Sequence, residues 1–200
     1  AFRKLRVALF TTGSELRQPG ESIRPGEIYD ANRFILRSLL AKPWIEIVDL
    51  GRYRDTPSEL RTLFQAAAAR ADVIVSAGGI SVGDEDHVVE AFQRCGGKLW
   101  IRKVAIKPGK PLVLGRVADA TYVGLPGNPG ALFTTFKIIV EQILAVQAGL
   151  RTTEGSECAA IADFEWKGRP GRTTYLPAVM TGSAHGLPLI DLLPDANSGK

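Results

Sequence analysis

The stretch TPSELRTLFQAAAARADVIVSAGGISVGDED, Thr56–Asp86, decides the fold. Thr56-Pro57-Ser58-Glu59 is a helix start. Thr56 stands at the N-cap, Pro57 occupies the first helical position, where no amide hydrogen is needed, and Glu59 can complete a capping box. The Ala-rich run that follows carries the helix to about Ala71. Asp72–Ala77 (DVIVSA) then reads as a strand. Gly78-Gly79 ends it, and a second helix from about Glu85 to Cys95 stops at Gly96-Gly97, a natural C-cap.

The same alternation extends outward from this unit. Leu5–Phe10 (LRVALF) is a buried strand followed by Thr11–Gly26, a loop dense in Gly, Pro and polar residues. Asp30 can cap a helix that carries Phe34, Ile35, Leu39 and Leu40 on one face and stops at Pro43. Trp44–Leu50 (WIEIVDL) is another strand. Downstream, strands are expected over Leu99–Ile106, Pro111–Arg116 and Thr121–Gly124, before Pro126-Gly127-Asn128-Pro129 opens the longest helix, Gly130–Ala148. Alternating strands and helices with right-handed crossovers predict an α/β fold: a doubly wound, mostly parallel, three-layer sheet. From Thr152 the pattern becomes short strand-like pieces between Gly/Pro turns. The expected division is therefore an α/β domain over residues 1–150 and a small, incomplete β domain over 151–200.

Composition narrows the function. Of 200 residues, 45% are hydrophobic, enough for a sizeable core. No uninterrupted apolar run reaches the ~18 residues of a membrane span, since Lys137, Glu141 and Gln142 break Phe133–Val146. No signal peptide precedes the first strand, and the chain starts without Met, as a processed or truncated chain would. Two cysteines, Cys95 and Cys158, sit in unrelated contexts, so a reduced, cytoplasmic setting is expected. With only His87 and His185, any metal should be a hard cation held by oxygens. The net charge of +4 is spread without a Lys/Arg block. It predicts mild attraction for anionic ligands and neither nucleic acid nor membrane as a partner.

In open α/β sheets, ligands bind beyond the carboxyl ends of the strands. The loops there are Thr12-Gly13-Ser14-Glu15, Arg54-Asp55, Gly78 to Asp86, Lys107-Pro108-Gly109-Lys110 and Pro126 to Pro129. They gather Glu15, Asp55, Asp84 and Asp86 with Lys107 and Lys110 at one edge. Each part also has a plain structural reading. Asp84 can cap a helix, Asp55 can be an ordinary first-turn acid, and Gly78-Gly79 can be a tight turn or an approach for phosphate to backbone amides. If Leu99–Lys107 stays extended, Lys103 and Lys107 share a face with Ala105 between them. They then face a ligand or guard a sheet edge. The P-loop, the dinucleotide fingerprint and the nucleophile elbow are all absent.

TTGSEL, GEIYDAN, GGISVGDED, IKPGKP and GLPGNP, in this order, resemble the central domain of MoeA-type molybdopterin molybdotransferases, the family of the gephyrin E domain. The resemblance covers about Lys4–Leu150, and the tail resembles the start of the family's C-terminal β domain. It implies a MogA-like fold and a cytoplasmic, dimeric enzyme of molybdenum cofactor biosynthesis. Such an enzyme inserts molybdate into adenylylated molybdopterin with Mg²⁺ and releases AMP. By motif, Glu15, Asp55 and Asp86 match the family's acidic site residues, with Asp55 and Asp86 as metal ligands. Lys103 and Lys107 match the lysines beside molybdate and substrate anions. Gly78, Gly79, Ser81, Gly83, Asp84, Lys110, Gly127 and Asn128 fall in loops that cradle the substrate. A homodimer and contact with a molybdopterin adenylyltransferase are the implied protein partners.

Departures from the pattern are Ser14 in place of a common Asp, Gly130-Ala131 in place of a common Val-Ser, and the absence of the family's two N-terminal domains. The competing readings are a molybdopterin adenylyltransferase on the same fold, for which a GGTG-type loop is expected in place of GGISVG, and a scaffolding module like the gephyrin E domain.

Overall fold

The computed structural model describes residues 3–80, 87–151, 158–168 and 170–193. The first strand, β1 (Leu5–Thr12), is followed by a two-residue parallel pairing of β2 (Leu16–Arg17) with β3 (Ile28–Tyr29). This pairing folds the long Gly/Pro loop back on itself. Then come α1 (Asn32–Leu40), β4 (Ile45–Tyr53), α2 (Pro57–Arg70), β5 (Val73–Ala77) and α3 (His87–Arg94). Four strands follow: β6 (Lys98–Lys103), β7 (Ile106–Lys107), β8 (Pro111–Val117) and β9 (Ala120–Leu125). The last helix, α4 (Pro129–Gln147), contains a wider π turn at Phe136–Val140.

Six strands make the central sheet in the order β4-β1-β5-β9-β8-β6. The pairings β1–β4, β1–β5 and β5–β9 are parallel, and β8–β9 and β6–β8 are antiparallel. The strands expected near residues 5–10, 45–50 and 72–77 are thus parallel neighbours. Before α4, strict alternation fails where the short β2 and β3 precede α1 and again between α3 and α4, where four strands run on without a helix and β8 alone runs against the other strands of the sheet.

The period of two along β1 builds both faces. Ala8 and Phe10 point to one layer with Leu60, Leu63, Phe64, Val88 and Phe92 of α2 and α3. Leu5, Val7 and Leu9 point to the other, with Leu36 and Leu40 of α1 and Leu132, Phe136, Val140 and Leu144 of α4. Edge-to-face contacts of Phe64 with Phe10 and Tyr122, at centroid separations of 5.6 and 5.0 Å, fill the first layer. α4 is long and apolar enough to cross a membrane, which the sequence reading did not anticipate. Its buried stripe against the sheet makes it a core helix here.

Two local expectations are corrected. Ile35, Leu39 and Leu40 pack toward the sheet as expected, but Phe34 is exposed and Leu36 is buried in its place. Asp30 does serve the start of α1, its Oδ1 accepting from Arg33 N at 3.1 Å, although Ala31 is the boundary residue. Thr56 makes no side-chain cap bond, and its buried Oγ1 has no partner among the described residues. The capping box with Glu59 is therefore not formed, and Pro57 alone marks the start of α2.

Beyond α4, β10 (Ile161–Ala162), β12 (Ala178–Ala184) and β13 (Leu187–Leu192) form a three-stranded sheet. Most of β12 is exposed. The intervening β11 (Thr173–Thr174) pairs in parallel with β7. The tail is thereby hydrogen-bonded to the segment that carries Lys107.

Candidate active site

The carboxyl ends of β4, β1, β5 and β9 lie along one edge, and the connections leave β1 and β5 toward opposite faces. Helix α1, after β1, packs on one layer and α3, after β5, on the other. The β1/β5 boundary is the topological switch point, where such sheets bind ligands.

Thr12, the last residue of β1, is 1% exposed and lies under both glycines of the β5 loop. Gly78 has φ +88°, and a Cβ there would sit 2.0 Å from the Thr12 carbonyl oxygen. Gly79 has φ +64°, and a Cβ there would meet Val88 Cγ2 at 2.3 Å, Thr12 Cγ2 at 2.9 Å and Asp55 Oδ1 at 3.0 Å. Only glycine combines this conformation with so close an approach. The Thr12 hydroxyl donates to Asp55 Oδ1, which binds the β4 loop to the end of β1. Beside it, the Glu15 carboxylate lies 2.8 Å from where a Cβ on Gly13 would be. Glu15 is exposed, with no side-chain partner among the described residues.

The walls of this edge are polar and buried. Thr11 donates from Oγ1 to Asp30 Oδ2, and both residues are buried. Asn32 donates from Nδ2 to the Gly127 carbonyl at 2.7 Å, tying the GEIYDAN segment to the GLPGNP loop. Arg17 and Glu27 brace the long loop after β1. The Arg24 amide first, then the Arg17 guanidinium, holds the Glu27 carboxyl below its ordinary range.

The predicted site residues divide into three groups. The structure brings Glu15, Asp55, Gly78 and Gly79 together at the switch point. Gly127 is next to them, since a Cβ on it would lie 3.7 Å from Gly78 Cα. Asn128 accepts from Ala131 N at 3.0 Å through Oδ1, as the N-cap of α4. That oxygen is committed to the helix, which competes with a substrate contact. Ser81, Gly83, Asp84 and Asp86 lie outside the described residues.

The lysines form the third group, and the expectation of one extended strand is overturned. β6 ends at Lys103 after register shifts between Leu99/Ile101 and Ile101/Lys103. The Val104 amide then bonds to Lys110 O at 3.0 Å, and Lys107 belongs to β7. A two-sided alternation cannot pass through two bulges and a turn. Lys103, opposite Pro111, is at the same edge as the acids but four strand steps from β1, roughly 19 Å at the usual strand spacing. Gly109 packs on the start of α4, where a Cβ would meet Thr135 Oγ1 at 2.3 Å. Lys103, Lys107 and Lys110 are exposed and pair with no carboxylate among the described residues.

Chemically, this edge offers hard carboxylate oxygens and, on its flank, ammonium groups that pair with no carboxylate among the described residues, while the glycine turn packs closely on Thr12 and Val88 with its Gly78 amide bonded to Leu125 O. Among the described residues, no cluster of three or more His, Cys, Asp or Glu side chains could enclose a metal by itself. One or two carboxylates with several waters suit Mg²⁺, and Asp55 Oδ2, whose partner oxygen alone is engaged by Thr12, is a donor of that kind. Sequence reasoning gave no site role to Thr11, Thr12, Asp30 and Asn32, although each falls in a loop or motif that it singled out. Polar residues directly after an apolar strand and before a helix were the available signal.

Comparison with known proteins finds relatives of this chain by sequence and by fold. A relative from Haemophilus influenzae named molybdopterin molybdenumtransferase is 36% identical over 176 residues, covering 87% of this chain and 43% of the relative. One of the same name from Nostoc sp. is 38% identical over 152 residues, covering 74% and 35%. The chain spans less than half the length of these relatives. A molybdopterin biosynthesis MoeA protein from Pyrococcus horikosii superposes with a TM-score of 0.77 at 28% identity over 98% of this chain and 46% of that one. A tungsten cofactor synthesizing protein MoaB from Pyrococcus furiosus, 20% identical with a TM-score of 0.54, covers 76% of this chain and 100% of that one and shares the fold. The family model described as "Probable molybdopterin binding domain" matches residues 8–146, which span all of the central sheet but the first residues of β1. The chain belongs to that molybdopterin-binding family, in its MoeA-like branch.

Proposed function

We propose that the protein to which this chain belongs inserts molybdate into adenylylated molybdopterin and releases AMP. The observation that supports this most directly is the switch-point cluster, in which Thr12 joins Asp55 to a Gly78-Gly79 turn that no side chain can enter. The Gly78 amide donates to Leu125 O at 3.2 Å, which leaves the Gly79 amide for a phosphate, and Asp55 with Glu15 offers oxygens to Mg²⁺. Bound there, Mg²⁺ would neutralise charge on the phosphate oxygens as the phosphoanhydride is cleaved. Lys107, assisted by Lys103, attracts molybdate and the pterin phosphate from the flank. Asp86 is assigned as a second acid for the ion from its place in SVGDED. Residues 1–150 supply the ligand-binding unit, and 151–200 belong to a small β unit. A homodimer and hand-over of substrate from a molybdopterin adenylyltransferase complete the reading.

The names of the relatives favour transfer of molybdenum over adenylylation, as does GGISVG where a GGTG-type loop was expected for an adenylyltransferase. Calorimetry with adenylylated molybdopterin tests the proposal. Binding should tighten when Mg²⁺ is added, and Asp55→Asn should abolish that gain while ligand binding without Mg²⁺ persists. Equal affinity with and without Mg²⁺ in the parent protein would refute the metal-assisted reading.

A further inference from the structure

We propose that Thr12 is a positioning residue that makes Asp55 a one-oxygen ligand for the cation. The inference rests on the reading of Asp55 as a cation-holding acid. Thr12 ends β1 in a nearly sealed position, and its β-branched side chain has little rotational freedom there. Its hydroxyl has one proton to donate, and that proton goes to Asp55 Oδ1. The same oxygen faces Gly79 at 3.0 Å from the place a Cβ would take. Oδ1 is therefore engaged and hemmed in, and Oδ2 is the oxygen left for an ion. The methyl group of Thr12 lies under Gly79 and its carbonyl under Gly78. One residue thus sets the spacing of the loops after β1, β4 and β5.

The plain alternative is a buried hydroxyl that has merely found a partner. The two differ in what an isosteric change does. Thr12→Val keeps the packing beneath Gly79 and removes the proton from Asp55 Oδ1. Removing a partner that orients a metal ligand typically lowers metal affinity about 10- to 100-fold. A merely satisfied hydroxyl would alter the thermal midpoint and leave ion affinity unchanged.

The experiment is a titration of Mn²⁺, standing in for Mg²⁺, followed by electron paramagnetic resonance on the whole protein with AMP present. Thr12→Val should weaken Mn²⁺ binding by about 10-fold or more, and Thr12→Ser, which keeps the hydroxyl, should restore it. Asp55→Asn is titrated beside them. If Asp55→Asn loses the ion while Thr12→Val binds as the parent does, the reading of Asp55 stands and the proposal falls. If Asp55→Asn binds like the parent, the reading falls and takes the proposal with it. Equal loss in Thr12→Ser and Thr12→Val would also overturn it, because the hydroxyl would then not be the cause. Should Thr12→Val fail to fold, Thr12→Ser against Thr12→Ala carries the same comparison, with the ion kept by Ser and lost by Ala.

Discussion

The two ends of the central sheet solve opposite problems. At the amino end of the strands, a cavity of about 340 Å³ is lined by Arg3, Leu5, Asp72, Trp100, Arg116, Asp119, Thr121 and Gln147. Its charges cancel locally. Arg3 grips Asp72 at 2.7 and 2.9 Å, Arg116 holds Asp119 at 2.7 Å, and Gln147 donates to Thr121. At the carboxyl end, Glu15 and three lysines have no ion-pair partner among the described residues, while the backbone beneath is held by Thr12, Asp30 and Asn32. Among the described residues, charge that is still unpaired makes the carboxyl end the better candidate, because such charge is what a ligand or an ion can still satisfy.

The largest effect should come from the backbone of the carboxyl end. Gly78→Ala forces a Cβ onto the Thr12 carbonyl in a left-handed conformation, and it should cost at least ~3 kcal/mol or abolish folding. Gly96→Ala is the control, with a similar φ of +81° and nothing within 4 Å of the added atom. It should cost only ~1 kcal/mol. Chemical denaturation of the two variants measures the difference, and equal losses would remove the argument for a close-approach turn.

The next effect concerns the flank. Lys107→Gln should weaken binding of molybdate by about 1.5–3 kcal/mol, the range of a charge-assisted hydrogen bond. Lys110→Gln should weaken it less. Equilibrium dialysis with molybdate checks both, and unchanged binding in Lys107→Gln would return the lysines to the role of edge guards.

The smallest effect belongs to the amino end and is one of pH. The Arg3 guanidinium first, and then the Arg6 amide and side chain, hold the Asp72 carboxyl well below the ordinary Asp range. The unfolded chain then takes up a proton at a pH where the folded one does not. The pair's contribution is full above the ordinary carboxylate pKa of about 4 and fades as pH falls below it. Asp72→Asn should flatten the acid limb of a stability–pH curve and leave ligand binding at neutral pH unaltered. A parallel shift of the whole curve would show that the pair is not its source.

How much of this was legible in the sequence differs by region for physical reasons. Thr56–Gly79 announced itself, since helix start, strand and glycine turn are local signals, and the structure returned α2, β5 and the turn nearly as read. Asp55, Gly78 and Gly79 followed, because parallel strands place their carboxyl ends at one edge. The lysine segment did not. Local alternation cannot reveal the bulges in β6 or the capture of β7 by β11 some 65 residues later, about as non-local as pairing becomes in this chain. The capping box at Thr56 also failed, its hydroxyl being buried with no partner among the described residues. Thr12 and Asn32 stood in loops and motifs that the sequence singled out but had no role there, because their importance lies in what they touch across the fold.

On the proposed function, the carboxyl-end edge of the sheet takes the phosphate ligand. Amide chemical-shift mapping with AMP and Mg²⁺ checks this residue by residue. Perturbations are expected at Thr12, Gly13, Glu15, Asp55, Gly78 and Gly79, with Asp72, Thr121 and Gln147 unmoved. Perturbations centred on Asp72, Trp100 and Thr121, with the glycine turn silent, would contradict it.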